Sequence, residues 1–175
     1  MIKKLLFVLN LLFFIISIVG CFSLRENVLV KVDQFEPTIT VSGIPLTIHD
    51  NILHQYFIRS IVDKKTKIVL HQIYVNYSYD SNWSIYSSKA WRIYNRAYVP
   101  KNNLLEIKKI DKYYKCSPDF CRYYEDFGIT LSDKYLKEHK NGFTIKASSK
   151  SGHDLYLPIS AKQISEQLKA IEALP

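Results

Sequence analysis

The sequence predicts a mainly β fold, a β-sandwich or a β-rich α+β arrangement, with one amphipathic helix at the C-terminus. Three features predict it. Short runs of β-branched and aromatic residues recur from Val28 to Ile159 with strand periodicity. Turn formers such as Ser42-Gly43, Asp63-Lys64-Lys65-Thr66 and Pro100-Lys101-Asn102-Asn103 separate them. Only the stretch after Ser160 carries a helical period together with a start signal.

Val28 to Val32 is β-branched and apolar and opens the strand series. Thr38 to Val41 and Ile44 to Ile48 lie on either side of Ser42-Gly43, and Pro45 assigns the second run to an edge. Tyr56 to Val62 and Ile68 to Tyr79, joined through Asp63–Thr66, form the strongest hairpin. In its second arm Leu70, Gln72, Tyr74, Asn76 and Ser78 share one face, and Val69, His71, Ile73, Val75, Tyr77 and Tyr79 share the other. Trp83 to Val99 satisfies both periods: Trp83, Ile85, Trp91 and Ile93 suit a strand, while Trp83, Tyr86, Ala90 and Tyr94 suit a helix face. Its Tyr, Trp, Ile and Ser content, with few strong helix formers, favours a strand. Leu104 to Ile110 is next, and Phe127, Ile129 and Leu131 alternate as a further strand.

Ser132-Asp133 caps a single helical turn through Tyr135 and Leu136. Gly142 admits the strand Phe143–Ala147, Ser148 to Asp154 is a hairpin turn, and Leu155, Leu157 and Ile159 mark the returning arm. Ser160-Ala161-Lys162-Gln163 is a capping box, and Ile164, Leu168, Ile171 and Leu174 form one apolar stripe of a helix over 161–174. No linker interrupts, so residues 28–175 read as a single β-rich globular domain closed by that helix.

The first residues carry a different pattern. Met1 to Lys4 is short and positive, and Leu5 to Val19 is apolar apart from Asn10 and Ser17. That run falls short of the roughly 20 residues of a bilayer-spanning helix and has the length of a signal-peptide core. Ile18-Val19-Gly20-Cys21 follows directly, and it resembles the lipobox of bacterial lipoproteins: a branched aliphatic residue, a small or branched one, Gly or Ala, then Cys. Ile18 stands where Leu is commoner, and Val19 where Ala or Ser is commoner. The resemblance covers residues 1–21 only.

It implies that residues 1–20 are a cleaved signal peptide and that Cys21 receives a diacylglyceryl group on its thiol. A soft nucleophilic sulfur is what thioether formation requires. Two or more acyl chains give stable attachment where one is marginal, so the membrane is the first expected partner, through lipid on Cys21. Phe22, a residue other than Asp, implies passage to the outer membrane of a two-membrane envelope, on its periplasm-facing side. Residues 21–27 are then the lipidated cysteine and a short tether, which keeps the domain close to the membrane surface.

The 175 residues carry 24 Lys and Arg against 16 Asp and Glu; without Lys3 and Lys4 the balance is 22 against 16, a net +6. The cations are scattered, which fits simple solubility, and an exported chain is a poor partner for nucleic acid. Cys116 and Cys121 enclose Ser117-Pro118-Asp119-Phe120, and in an exported chain this pair predicts a structural disulfide, two free thiols being the alternative. The spacing is not the C-x-x-C of redox centres, and His139 alone lies within reach as a third zinc ligand. The five histidines His49, His54, His71, His139 and His153 are dispersed. His71, on the apolar-rich face of its strand, is expected to be packed or at the surface rather than a ligand. Ser151-Gly152-His153-Asp154 reads as a turn, because triads assemble from distant residues. No nucleophile elbow or phosphate loop occurs, so neither cofactor nor metal is expected.

Tyrosine, with 13 copies, and the Trp/Tyr cluster from Tyr74 to Tyr98 stand out. Aromatic residues interleaved with Arg are enriched at binding hot spots, though Tyr and Trp are also ordinary strand residues. If Trp83–Val99 is one strand, Trp83 and Trp91 fill the core, and Tyr86, Arg92, Tyr94, Arg96 and Tyr98 face a partner. The leading expectation is a membrane-anchored envelope lipoprotein acting as a non-catalytic binding or adaptor component of a surface or secretion assembly. A membrane-tethered inhibitor or immunity protein against an exported enzyme stands second, and an envelope enzyme third.

Overall fold

A computed structural model describes residues 28–48, 51–81 and 91–175. Cys21 and the segments before it, His49, Trp83 and Tyr86 lie outside the described residues. The chain is mainly β, in two antiparallel sheets. The strands are β1 (Leu29–Val32), β2 (Thr38–Ser42), β3 (Leu46–Ile48), β4 (Asn51–Asp63), β5 (Val69–Ser81), β6 (Tyr94–Val99), β7 (Asn103–Leu105), β8 (Ile107–Cys116), β9 (Cys121–Leu131), β10 (Gly142–Ser149) and β11 (Asp154–Ser160). Helix α1 is Asp133–Glu138 and helix α2 is Ala161–Glu172.

The large sheet runs β1-β2-β4-β5-β9-β8, with β3 also on β4; the small sheet runs β11-β10-β6-β7. The expected hairpin is β4–β5, with Val62 opposite Val69 and Ile58 opposite Ile73. Its two faces divide as the alternation predicts. Ile73 and Val75 are fully buried toward the small sheet, and Tyr74 and Asn76 are half-buried on the outer face. Ser42-Gly43 does not make a hairpin: β2 and β3 lie one after the other along β4, pairing with Arg59–Asp63 and with Asn51–Tyr56 respectively. A side chain at Gly43 would press 3.1 Å from the Gln167 amide oxygen and 3.2 Å from the Ile58 carbonyl, so the chain crosses there on a residue without one.

The sheets face each other across one core. Tyr56, Ile58, Ile73, Val75, Phe127, Ile129 and Leu131 come from the large sheet; Tyr94, Ala97, Val99, Ile145, Leu155 and Leu157 come from the small one. The small sheet is too narrow to cover β1 and β2. Helix α2 covers that end, setting Ala170, Ile171 and Leu174 against Ile39, Val41 and Val62. The capping box forms as expected, Ser160 Oγ accepting from the Gln163 N–H while the Gln163 side chain accepts from the Ser160 N–H. Ser132 caps α1 by accepting from the Tyr135 N–H, without the reciprocal bond of a capping box.

A buried polar chain ties the helices to the sheet. The Gln167 amide donates to the Val41 carbonyl and to Ser60 Oγ, at 2.9 and 2.8 Å. Ser60 Oγ lies 2.7 Å from His71 Nδ1, and His71 Nε2 lies 3.1 Å from Asp133, which also accepts from Lys137. One assignment satisfies Ser60, His71 and Asp133: Ser60 donates to Nδ1 and the neutral ring donates from Nε2 to Asp133, while the Gln167 amide oxygen is buried without a hydrogen-bond partner. His71 is therefore packed, as expected, and satisfied. Ser, His and Asp stand in sequence here, but Ser60 and His71 are wholly buried and Ser60 is fixed by Gln167, so no substrate reaches the hydroxyl.

Candidate binding surface on the β8–β9 arm

Lys112-Tyr113-Tyr114-Lys115-Cys116 and Cys121-Arg122-Tyr123-Tyr124-Glu125 mirror each other across a four-residue turn. Antiparallel pairing converts that mirror into like-on-like rows: Tyr113 opposite Tyr124, Tyr114 opposite Tyr123, Lys115 opposite Arg122, Cys116 opposite Cys121. The hairpin so built is the edge of the large sheet, and all but the first residue of β8 are exposed. Cys116 and Cys121 are joined by a disulfide, as expected, which closes the turn Ser117–Phe120 at the tip. Ser117 N–H donates to the Phe120 carbonyl at 2.9 Å inside it.

Each face of the arm carries aromatic rings and cations. On the outer face Tyr113 and Tyr124 stack with centroids 4.5 Å apart, and Lys115 Nζ lies within 6 Å of both rings. Arg122 binds Asp80 through two nitrogens, at 2.6 and 2.9 Å, which holds that carboxyl below its usual range. Further along this face Tyr74 and Asn76 both donate to Asp126 at 2.7 Å. Burial and that carboxylate push the Tyr74 hydroxyl up to about 12. On the inner face Trp91 meets Tyr123 edge-on at 4.9 Å, Tyr114 flanks both, and Lys112 Nζ sits 5.0 Å from the indole.

Glu125 anchors the segment that places Trp91. Its carboxylate accepts from the Tyr79 hydroxyl at 2.5 Å and from the backbone N–H groups of Arg92, Ile93 and Tyr94 at 2.9 to 3.4 Å. Three successive N–H groups converge because Ile93 adopts φ +57°, an unusual conformation for a β-branched residue. Beside this nest lies a groove of about 280 Å³ floored by Tyr94 and Phe127 and rimmed by Lys109, Ile110 and Lys112. Its opening exists because β8 bulges at Ile110, between Lys109 and Asp111.

Of the five residues expected to form one exposed face, the four that are described do not converge. Tyr94 is corrected to a core residue, 1% exposed, stacked on Phe127 and edge-on to Tyr77. The cause is a bulge: Arg96 pairs with Ser148 but Tyr94 pairs with Ser149, so Asn95 is extra and the alternation inverts. Arg92 is half-buried, its guanidinium over Tyr79 at 4.3 Å and bonded to the Tyr77 hydroxyl. Arg96 and Tyr98 remain on the small sheet, Tyr98 lining a shallow depression with Lys146 and Tyr156. Tyr86 lies outside the described residues. The regular strand begins only at Tyr94, and Trp91 is half-buried against Tyr123.

Among the described residues no group of three or more His, Cys, Asp or Glu is placed to hold a metal ion, and no helix is long and apolar enough to cross a membrane. Comparison with protein-family models, with curated proteins and with solved structures found no match for this chain.

Proposed function

We propose that this chain is an envelope lipoprotein, tethered by lipid on Cys21 with its domain facing the periplasm, that works by binding a protein partner. The β8–β9 arm is the contact surface in this reading, and one observation carries it. Ile110, Tyr113, Tyr114 and Phe120 are large apolar side chains left 38–47% exposed on one hairpin, beside Lys109, Lys112 and Lys115. Aromatic and cationic side chains on a disulfide-closed hairpin are the composition of an interface hot spot, and the groove at Ile110 is sized for a side chain of the partner.

The sheet order supports the same reading. The arm is at the edge farthest from β1, the strand nearest the anchor, so it points away from the attachment site by about five strand spacings, roughly 24 Å. The disulfide-closed turn Ser117–Phe120, exposed throughout, also favours the second reading, in which the tip enters a cleft of an exported enzyme and blocks it.

The test is photo-crosslinking in cells that make the lipid-modified protein, with the crosslinker at Ile110 or Phe120 on the arm, compared with Tyr156 on the small sheet. A discrete adduct with one envelope protein at the arm positions, lost in the variant K112S/Y113S/Y114S, is expected. Equal adducts at Tyr156, or an adduct untouched by the triple variant, would remove the arm from the account. If the partner is an enzyme whose activity falls on binding, the inhibitor reading takes over.

A further inference from the structure

Among the described residues the edge of the large sheet opposite the arm is β1, and it and the neighbouring turns carry exposed apolar side chains. Leu29, Val32, Phe35 and Ile68 are 69%, 59%, 87% and 69% exposed, and Val30 and Leu70 are each 41% exposed. They wrap around that edge rather than share one face: Val30 and Val32 point as the buried Val41 and Ile39 do, Leu29 and Leu70 point to the outer face, and Leu29 lies at the end of β1 away from the turns. Val32 lies opposite Ile39, Ile39 opposite Val62, and Val62 opposite Val69, so the turn holding Phe35 lies beside the turn leading to Ile68. Lys64 binds the two turns together, its N–H on the Pro37 carbonyl and its amine on the Asp33 and Glu36 carbonyls.

The two sheet edges are built differently. On β8 four lysines and a bulge discourage pairing with another chain. On β1 there is Lys31 alone, with no proline and no bulge. Exposed apolar surface of this extent marks an interaction site.

Position in the chain selects the occupant. Cys21 precedes Val28 by seven residues, a path of at most about 24 Å when fully extended. On the reading that Cys21 carries lipid, this patch is the part of the described fold closest along the chain to the bilayer. We infer that β1 and its turn rest in the interfacial layer of the membrane, with Phe35 and Leu29 among the acyl chains. The polar groups fit that placement. Lys31 and Lys65 are exposed and reach headgroup phosphates, while Asp33 and Asp63 are turned onto backbone N–H groups of their own turns, at 2.7 to 3.0 Å. Glu36 is exposed beside them and stays in the aqueous layer. The domain then stands on β1 with the arm held outward.

The experiment uses the acylated protein in phosphatidylethanolamine–phosphatidylglycerol vesicles. With Cys21 lipidated and Cys116–Cys121 oxidised, Phe35→Cys supplies the one reactive thiol for an NBD label; Lys108→Cys on the far edge is the control. Flotation with the vesicles reads the anchor, and quenching by nitroxide lipids reads the docking. Quenching at position 35 is expected to exceed that at 108 by roughly threefold or more, with a blue-shifted emission. Leu29→Glu should reduce quenching at 35 without changing flotation or circular dichroism. A protein that floats while both positions are equally unquenched overturns the docking and leaves the anchor standing. A protein that does not float at all overturns the anchor and the docking with it.

Discussion

Glu125 accepts the backbone N–H of Ile93 with both carboxylate oxygens, each at 3.0 Å. The same carboxylate holds Arg92 and Tyr94, so one buried side chain of the large sheet fixes the entry into the small sheet. Charge-assisted bonds of this kind are worth about 1.5–3 kcal/mol each when one partner is removed. Glu125→Gln places an amide NH₂ among N–H donors and should lower stability by about 2–3 kcal/mol in urea unfolding. Trp91 emission should shift to the red, because the segment that seats it on Tyr123 is released. A change below about 0.5 kcal/mol, the range of neutral surface substitutions, would show that the nest is not holding the strained turn.

His71 makes stability depend on pH. Its burial lowers the ring pKa below 6.5, and the hydrogen bond to Asp133 opposes that only in part. The folded chain therefore takes up a proton less readily than the unfolded one. The contribution is complete above about pH 6.5 and is lost as pH falls from there through the depressed folded value. Asp133 acts lower: hydrogen bonds from Lys137 and His71 outweigh the burial that would raise it and hold it below 3.8, so its contribution fades only as pH falls below that. Urea midpoints should fall between pH 7 and pH 5, and His71→Asn should flatten that slope while lowering stability at pH 7.5. An unchanged slope in that variant would assign the acid response elsewhere.

Strand alternation, turn residues and caps carried most of the fold into view, because they are local. The two faces of β5, the β10–β11 hairpin and both helix starts follow from period and capping chemistry alone. Three features escape the local pattern, each for its own reason. The bulge at Asn95 inverts the facing of Tyr94 and depends on pairing with β10, a partner some 50 residues away, so no local pattern announces it. The arm is marked by the mirrored KYYKC and CRYYE about a Pro-Asp turn, a hairpin signature that strand alternation does not pick out because both faces carry tyrosine. The buried chain from Gln167 to Asp133 joins five elements and could not be foreseen from one of them.

The disulfide stabilises the tip more than the domain. A loop this short contributes about 2 kcal/mol in the chain-entropy model, and Cys116 sits on an exposed edge that can open by itself. The mature protein should be two hydrogens lighter than its reduced form. Cys116→Ser with Cys121→Ser should speed amide exchange from Lys112 to Tyr124 while moving the global midpoint by less than that 2 kcal/mol. Faster exchange throughout the core would show that the tip belongs to the cooperative unit.

The lipid anchor has a direct test. Cys21→Ser removes the sulfur that the diacylglyceryl group requires, so lipid labelling should vanish and the precursor should stay uncut at Gly20. Normal maturation of that variant would mean an ordinary signal peptidase handles the chain, and the membrane reading would fall.

One chemical change at two tyrosines separates the core from the surface. Tyr94 is 1% exposed, stacks on Phe127 at 5.1 Å and meets Tyr77 edge-on at 5.7 Å. Burial pushes its hydroxyl pKa well up, so it stays protonated beside the Arg92 guanidinium. Tyr94→Ala opens a cavity between the sheets and should cost about 3–5 kcal/mol, the range for buried aromatic truncations. Tyr113 is 40% exposed and keeps one close ring neighbour, Tyr124 at 4.5 Å. Its truncation should cost about 0.5–1.5 kcal/mol, the worth of an aromatic pair. Partner capture should respond in reverse: a small stability change with strong loss of crosslinking for Tyr113→Ala, and unfolding rather than selective loss for Tyr94→Ala. A folded Tyr94→Ala variant that specifically loses its partner would return the contact surface to β6 and overturn the assignment to the arm.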